Sequence, residues 1–180
     1  MSPSSSPSSP PPTWRAAAPT DDDAIVELCM ALFREDPSPH APDRDRVRHT
    51  LATYRAQPVR GRALVLDGGV GGDGGDGGDG GLGVVGYALL SSFWSNELGG
   101  EVCVIDELYV GPTARGHGLG SVLLRTLAEQ PGALWNADAV ALELETTPDN
   151  HRARRLYQRL GFRDKNAPLR RMLGADPGDH

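Results

Sequence analysis

The sequence predicts an α/β fold, a mixed sheet with helices on both faces, in the order β-α-α-β-β-β-α-β-α-β-β. Three observations carry that prediction. Apolar residues recur at helical spacing in some stretches, while β-branched, alternating runs occupy the intervals between them. The stretch "ARGHGLGSVLL" (114–124) leads from the strongest strand pattern through glycines at alternate positions into a leucine-rich helix. The length of 180 residues suits one domain with a real core.

The elements follow in order. "TWRAAAPT" (13–20) forms a first strand. Thr20 and Asp23 stand in capping-box spacing, and Ile25, Leu28, Cys29 and Leu32 follow at helical spacing, so a first helix covers about 21–35. Pro37, Pro39 and Pro42 break it. Val47, Leu51 and Tyr54 mark a second helix that ends before Pro58. "RALVLD" (62–67) is a short strand and "LGVVGYALLSSFW" (82–94) a longer one. "EVCVIDELYV" (101–110) is the strongest strand, stopped by Gly111-Pro112. Leu119, Val122, Leu123 and Leu127 form one apolar face of a helix running to about Glu129, which Pro131-Gly132 ends. "AVALELETT" (139–147) is another strand. Asp149 or Asn150 caps a last helix on which Ala153, Leu156, Tyr157 and Leu160 share a face, and Gly161 stops it. "FRD" and "PLRRML" pair as a closing hairpin.

Three segments fall outside this scheme. Residues 1–12 read as a disordered Ser/Pro-rich tail and 174–180 as a C-terminal tail. The run "GGVGGDGGDGGDGGLG" reads as a flexible insertion at a hairpin tip (68–81). It has the glycines and aspartates of a calcium-binding repeat but lacks the regularly spaced apolar residues that build a β-roll, so no metal is expected.

Composition narrows the function. A net charge of −6 argues against a general nucleic-acid binder. No apolar run reaches the ~20 residues of a membrane span, and the N-terminus lacks the basic and apolar regions of a secretory signal. The expectation is a cytoplasmic protein without nucleic-acid or membrane partners, with a homodimer left open. Cys29 and Cys103 sit inside apolar patterns and read as buried free thiols. The charge is split. Residues 63–114 hold no Lys or Arg but eight acids, whereas Arg152, Arg154, Arg155, Arg159, Arg163, Lys165, Arg170 and Arg171 crowd the end. Such a division suits one region that holds a cation and another that holds an anion, or simply two solvated faces.

Three phosphate-binding patterns compete for the glycines. A P-loop needs a Gly-Lys-Ser/Thr that is absent, and a dinucleotide fingerprint needs a spacing that Gly116, Gly118 and Gly120 do not have. R-x-x-G-x-G fits, with Arg115, Gly118 and Gly120. Its physical basis is a helix N-terminus whose bare backbone N–H groups converge on an anion. Downstream, Asn150, Ala153, Tyr157 and Gly161-Phe162 stand in N-x-x-A-x-x-x-Y-x-x-x-G-F spacing. Together the two stretches resemble the GNAT N-acetyltransferase superfamily over about residues 13–173, which would form a single N-acetyltransferase domain with a mixed, mostly antiparallel sheet.

The resemblance implies acetyl-coenzyme A. The pyrophosphate would lie on the loop of Arg115, Gly116, His117, Gly118, Leu119, Gly120 and Ser121, and the pantetheine arm along the backbone of Leu108, Tyr109 and Val110. Asn150 and Ala153 would meet the same arm from the last helix. Tyr157 would protonate the departing thiolate, unless it is a core tyrosine on an apolar helix face. His117 lends backbone only.

For the base that takes the amine's proton, the candidates are Glu107 and Asp106, with Glu143 and Glu145 behind them. Glu107 has the longer reach. Successive strand residues point to opposite faces, so Asp106 and Glu107 share a site only across a bulge. A backbone N–H near Tyr109 or Val110 would stabilise the oxyanion. Cys103 lacks a histidine partner in sequence, which favours direct transfer over an acetyl-cysteine. The acidic middle favours a cationic small-molecule acceptor, with Phe93, Trp94 and Asn96 as candidate pocket residues; a peptide amine stays open. The rivals are a non-catalytic acyl-coenzyme A sensor on the same fold and calcium-dependent surface binding.

Overall fold

The computed structural model describes residues 11–68, 83–136, 138–147 and 150–163. The tails, the Gly/Asp insertion and the closing hairpin of the sequence reading lie outside the described residues, apart from Gly68 and the first residues of each flank.

Five strands form one sheet in sequence order: β1 (Thr13–Ala16), β2 (Gly61–Asp67), β3 (Val84–Ser95), β4 (Gly100–Val110) and β5 (Ala139–Leu144). The first three pairings are antiparallel, and β4 with β5 is parallel. A parallel pair needs a crossover, which α3 (Leu119–Glu129) and the short α4 (Pro131–Leu134) supply. The β2–β3 hairpin is closed by Gly68 N–H donating to the Gly83 carbonyl at 2.9 Å. The element order is the expected one through the last helix, α5 (His151–Arg159), with α4 added.

Two cores cover the two faces. α1 (Asp22–Glu35) and α2 (Arg44–Ala56) lay Ile25, Val26, Cys29, Val47 and Leu51 on Ala63, Val65, Tyr87, Leu89 and Tyr109. Leu123, Leu124 and Leu127 of α3, with Trp135, cover Leu64, Ala88, Leu90, Cys103 and Ile105 on the other face. Leu156 is half-buried on α5, and Tyr157 and Leu160 pack against that second core. Each buried leucine contributes ~1.5–3 kcal/mol, so α3 is anchored through its apolar face, and its N-terminus is held in place.

Three local expectations change. The Thr20–Asp23 capping box is replaced by a 3-10 turn (Pro19–Asp21) with Asp21 as the residue before α1. Asp21 instead accepts the Ala18 N–H at 2.7 Å and chelates the Arg15 guanidinium at 2.7 and 3.0 Å, contacts that an exposed threonine cap does not match. Strand β5 stops at Leu144 rather than running to Thr147. Between Leu89 and Leu90 the β3–β4 register slips, from Leu89 opposite Glu107 to Leu90 opposite Ile105. Asp106 is therefore the extra residue of a β-bulge.

Candidate active site

The bulge decides what β4 presents. Ile105 and Leu108 pack with the α3 core, whereas Tyr109 packs with the α1–α2 core and Glu107 bonds to Tyr87 and Cys29 of that same core. One extra residue thus switches the parity of the strand. Asp106 and Glu107 then both line a cleft of ≈ 370 Å³. Its other walls are Phe33 of α1, Ser38, His40 and Pro42 of the connection, Val47 and Thr50 of α2, and Leu89 of β3. No Lys or Arg is among these residues.

Glu107 is half-buried and Asp106 exposed. Burial pushes the Glu107 carboxyl above the ordinary carboxylate range, and the Asp106 charge adds to the rise. Two donors oppose it. The fully buried Tyr87 hydroxyl donates to Glu107 Oε2 at 2.6 Å, and Cys29 Sγ approaches the same oxygen at 3.7 Å. Burial first, then the Glu107 charge, pushes the Cys29 thiol up to about 12. It remains a neutral donor.

The parallel β4–β5 pairing ends at Ile105–Leu144, yet β4 continues to Val110. A gap therefore opens at the C-terminal ends of a parallel pair, beside the N-terminus of α3. Gly116 and Gly118 adopt φ of 88° and 72°, the left-handed region that favours glycine. A Cβ at either would meet nothing within 4 Å, so both glycines face open space. The first α3 bond runs from Val122 N–H to the Gly118 carbonyl at 3.0 Å, which leaves Leu119, Gly120 and Ser121 without intrahelical acceptors. Bare amides beside an open gap fit a pyrophosphate.

The remaining candidates fall in three places. The Arg115 side chain turns away from the loop amides: Nε donates to the Val110 carbonyl at 2.7 Å, and Nη2 reaches both Glu35 oxygens at 3.0 and 2.8 Å. Asn150 caps α5, its Oδ1 accepting the Ala153 N–H at 3.1 Å. Tyr157 is half-buried with the α3 core, edge-on to Phe162 at 5.9 Å, and burial raises its pKa. It does not line the cleft that Glu107 lines, and neither do Glu143 and Glu145. Cys103 is buried on the α3 face, where burial pushes its thiol up to about 12. Among the described residues both cysteines are free.

Phe93 and Trp94 are also absent from the cleft wall. They pair with Val102 and Glu101, well down the strand from Leu89, and are exposed. The sequence reading missed Tyr87, Glu35 and the wall residues of 33–50. Tyr87 alone carried a signal, as a polar-tipped aromatic inside an apolar strand. Also unforeseen is the Trp14 Nε1–H, which donates to the Leu119 carbonyl at 2.9 Å and ties β1 to the first turn of α3.

Comparison with known proteins bears on the family and the fold. The sequence profile of the acetyltransferase (GNAT) family matches residues 24–162. An uncharacterised N-acetyltransferase of Methanocaldococcus jannaschii is 38% identical over 82 residues, 46% of this chain and 47% of that relative. The match thus spans about half the length of that curated relative. An integron cassette protein from the mobile metagenome of Cole Harbour Salt Marsh is 26% identical over 91% of both chains, at a TM-score of 0.64. A possible acetyltransferase from Clostridium difficile 630 shares the fold at a TM-score of 0.71, with 17% identity over 93% of this chain and 100% of that one.

Proposed function

The chain belongs to the acetyltransferase (GNAT) family, and from that premise we propose that it transfers an acetyl group directly from acetyl-coenzyme A to a primary amine on a cationic small molecule. The observation that carries the proposal is the cleft in which the bulge seats both Glu107 and Asp106 beside the open end of β4.

Acetyl-coenzyme A supplies an activated acetyl thioester. The chain's amides at Leu119, Gly120 and Ser121 would hold its pyrophosphate, and the free edge of Leu108–Val110 its pantetheine arm. Within the cleft the two carboxylates attract an ammonium. Glu107 accepts a proton from that ammonium, directly or through one water, and burial, which raises its pKa above the ordinary carboxylate range, makes it a stronger base than an exposed carboxylate. Asp106, exposed at the cleft mouth, holds positive charge there. Tyr157, kept protonated by burial, is the proton donor on the α3 side of β4, where the thiolate departs. Acid and base thus serve opposite ends of the reacting pair from opposite faces of one strand.

A thiol-release screen of small cationic amines and short peptides with acetyl-coenzyme A tests this. Cationic small molecules should accelerate release most, and Glu107→Gln should retain cofactor binding while losing turnover. Binding of acetyl-coenzyme A with no amine accelerating release would refute the enzymatic reading and leave a non-catalytic acyl-coenzyme A sensor.

A further inference from the structure

We infer that Glu35 is a positioning residue that holds the cofactor loop through Arg115 and couples that loop to the wall of the acceptor cleft. The inference rests on acetyl-coenzyme A binding as proposed above. Glu35 is the last residue of α1. Its Oε1 accepts from the Tyr109 hydroxyl at 2.5 Å and from Arg115 at 3.0 Å, and its Oε2 accepts from Arg115 at 2.8 Å. The Arg115 guanidinium lies 5.1 Å from the centre of the Tyr109 ring, and its Nε closes on the Val110 carbonyl at 2.7 Å.

These contacts join three things. Val110 and Tyr109 end the strand edge assigned to the pantetheine arm. Arg115 opens the glycine loop, which continues directly into Gly116 and Gly118. Glu35 begins the connection that supplies Ser38, His40 and Pro42 to the cleft. An arginine whose Nη2 bonds both Glu35 oxygens while its Nε bonds the Val110 carbonyl is held at two of its nitrogens, which fixes its orientation better than a single exposed ion pair would. Its guanidinium is therefore a clasp on the turn out of β4. The Tyr109 hydroxyl, and then the Arg115 guanidinium, hold the Glu35 carboxyl below the usual carboxylate range, so it stays ionised through the neutral region.

The alternative role for Arg115 is that of a direct phosphate ligand restrained by Glu35. The two roles predict opposite signs. Glu35→Gln removes a negative charge near an anion-binding loop and weakens the hold on Arg115. If Arg115 were a phosphate ligand, its release would tighten binding. If Arg115 is a clasp, the loop loosens and binding weakens.

Titration calorimetry of acetyl-coenzyme A against wild type, Glu35→Gln and Glu35→Asp decides between them. We expect Glu35→Gln to bind about fivefold or more weakly, the lower end of ordinary site-to-site coupling, with an unchanged far-UV spectrum, and Glu35→Asp to recover part of the loss. Hydrogen exchange supplies a readout that simple destabilisation would not move. Saturating acetyl-coenzyme A should slow exchange across residues 36–43 in wild type and leave it unchanged in Glu35→Gln at equal saturation. Equal or tighter binding by Glu35→Gln, or exchange across 36–43 in wild type indifferent to the cofactor, would overturn the inference while leaving acetyl transfer standing. No binding by the wild-type protein would overturn both.

Discussion

Replacing Tyr87 by phenylalanine isolates the chemistry of Glu107. The ring stays in its buried site between Ala63, Leu89 and the α1 side chains, and only the hydroxyl that donates to Glu107 Oε2 at 2.6 Å is removed. A hydrogen bond to a charged group contributes ~1.5–3 kcal/mol, and 1.36 kcal/mol corresponds to one pH unit of titration. The Tyr87 bond favours the ionised carboxylate, against burial and the Asp106 charge, which favour the protonated one. Its loss should raise the Glu107 titration by about 1–2 pH units. The groups facing Glu107 are Cys29 from α1, Tyr54 from α2, Tyr87 from β3 and Asp106 beside it, with His40 across the cleft. Burial keeps Cys29 and Tyr54 protonated, and Cys29 already donates to the same oxygen at 3.7 Å in the wild type, so its bond does not replace the one lost. The assay is 13C NMR titration of the labelled glutamate carboxyls, with Glu107→Gln identifying the resonance, followed by kcat/KM against pH once an amine is in hand. The acid limb should move up by the same interval, with the rate above it recovering toward wild type. An unmoved limb, or a loss equal at every pH, would refute the base assignment.

Other outcomes follow from the same geometry. Glu107→Gln should raise the melting temperature at neutral pH. Folding raises this group's pKa, so its ionisation opposes folding above the ordinary carboxylate range, and the gain should shrink on acidification; a gain unchanged by pH would sink the argument. Gly118→Val and Gly120→Val should abolish acetyl-coenzyme A binding by calorimetry while the far-UV spectrum stays native, and unchanged affinity in both would remove the loop as the phosphate site. Tyr157→Phe keeps the ring against Phe162 and should bind the cofactor normally but lose turnover, within or below the ~10²–10⁴-fold typical of acid–base groups. Wild-type single-turnover rates would rule the hydroxyl out, and steady-state rates alone would not serve, because slow product release can hide the loss. Deleting Gly71–Gly80 should leave binding and melting temperature nearly unchanged, since Gly68 and Gly83 already meet and loop closure costs only ~0.6 kcal/mol per doubling of length; a calcium-dependent rise in melting temperature lost on deletion would revive the metal reading.

Much of the fold was legible because its signals are local. The 3.6-residue period of Leu119, Leu123 and Leu127 and the β-branched run of β4 each specify an element without reference to any partner. Asp149 or Asn150, and Gly161, likewise announced the ends of α5; the structure gives the cap to Asn150 and a positive φ to Gly161. Non-local competition was not legible. Thr20 is a good cap on its own, but Arg15 on β1, six residues before Asp21, holds Asp21 in that place instead. Phe93 and Trp94 read as pocket candidates at the loop end of their strand; the register opposite Val102 and Glu101 sets them well down the strand from the cleft wall at Leu89. The proline-rich connection read as a break, yet the packing of α1 beside α2 turns it into a cleft wall. Arg115 was legible as part of a motif, whereas its partner Glu35, 80 residues earlier, was not.

The β4 bulge is the deepest of these gaps, because it changes the meaning of residues that were read correctly one by one. In an unbroken strand Glu107 would share the face of Ile105, among the leucines of α3, as a carboxylate in an apolar layer. Such a site costs several kcal/mol unless the group is protonated or paired. The extra residue at Asp106 rotates Glu107 to the face where Tyr87 and Cys29 donate to it, and leaves Asp106 at the mouth of the same cleft. Whether a strand bulges depends on how many residues its neighbour sets against it, and β3 does so through Leu89 and Leu90, neither of which signals it alone. The same register slip lies close to Ile105, where the pairing with β5 ends and the gap opens. The proposed base, the cleft and the proposed cofactor edge thus share one local cause, which is why substitutions at Asp106 that relax the bulge should disturb all three together.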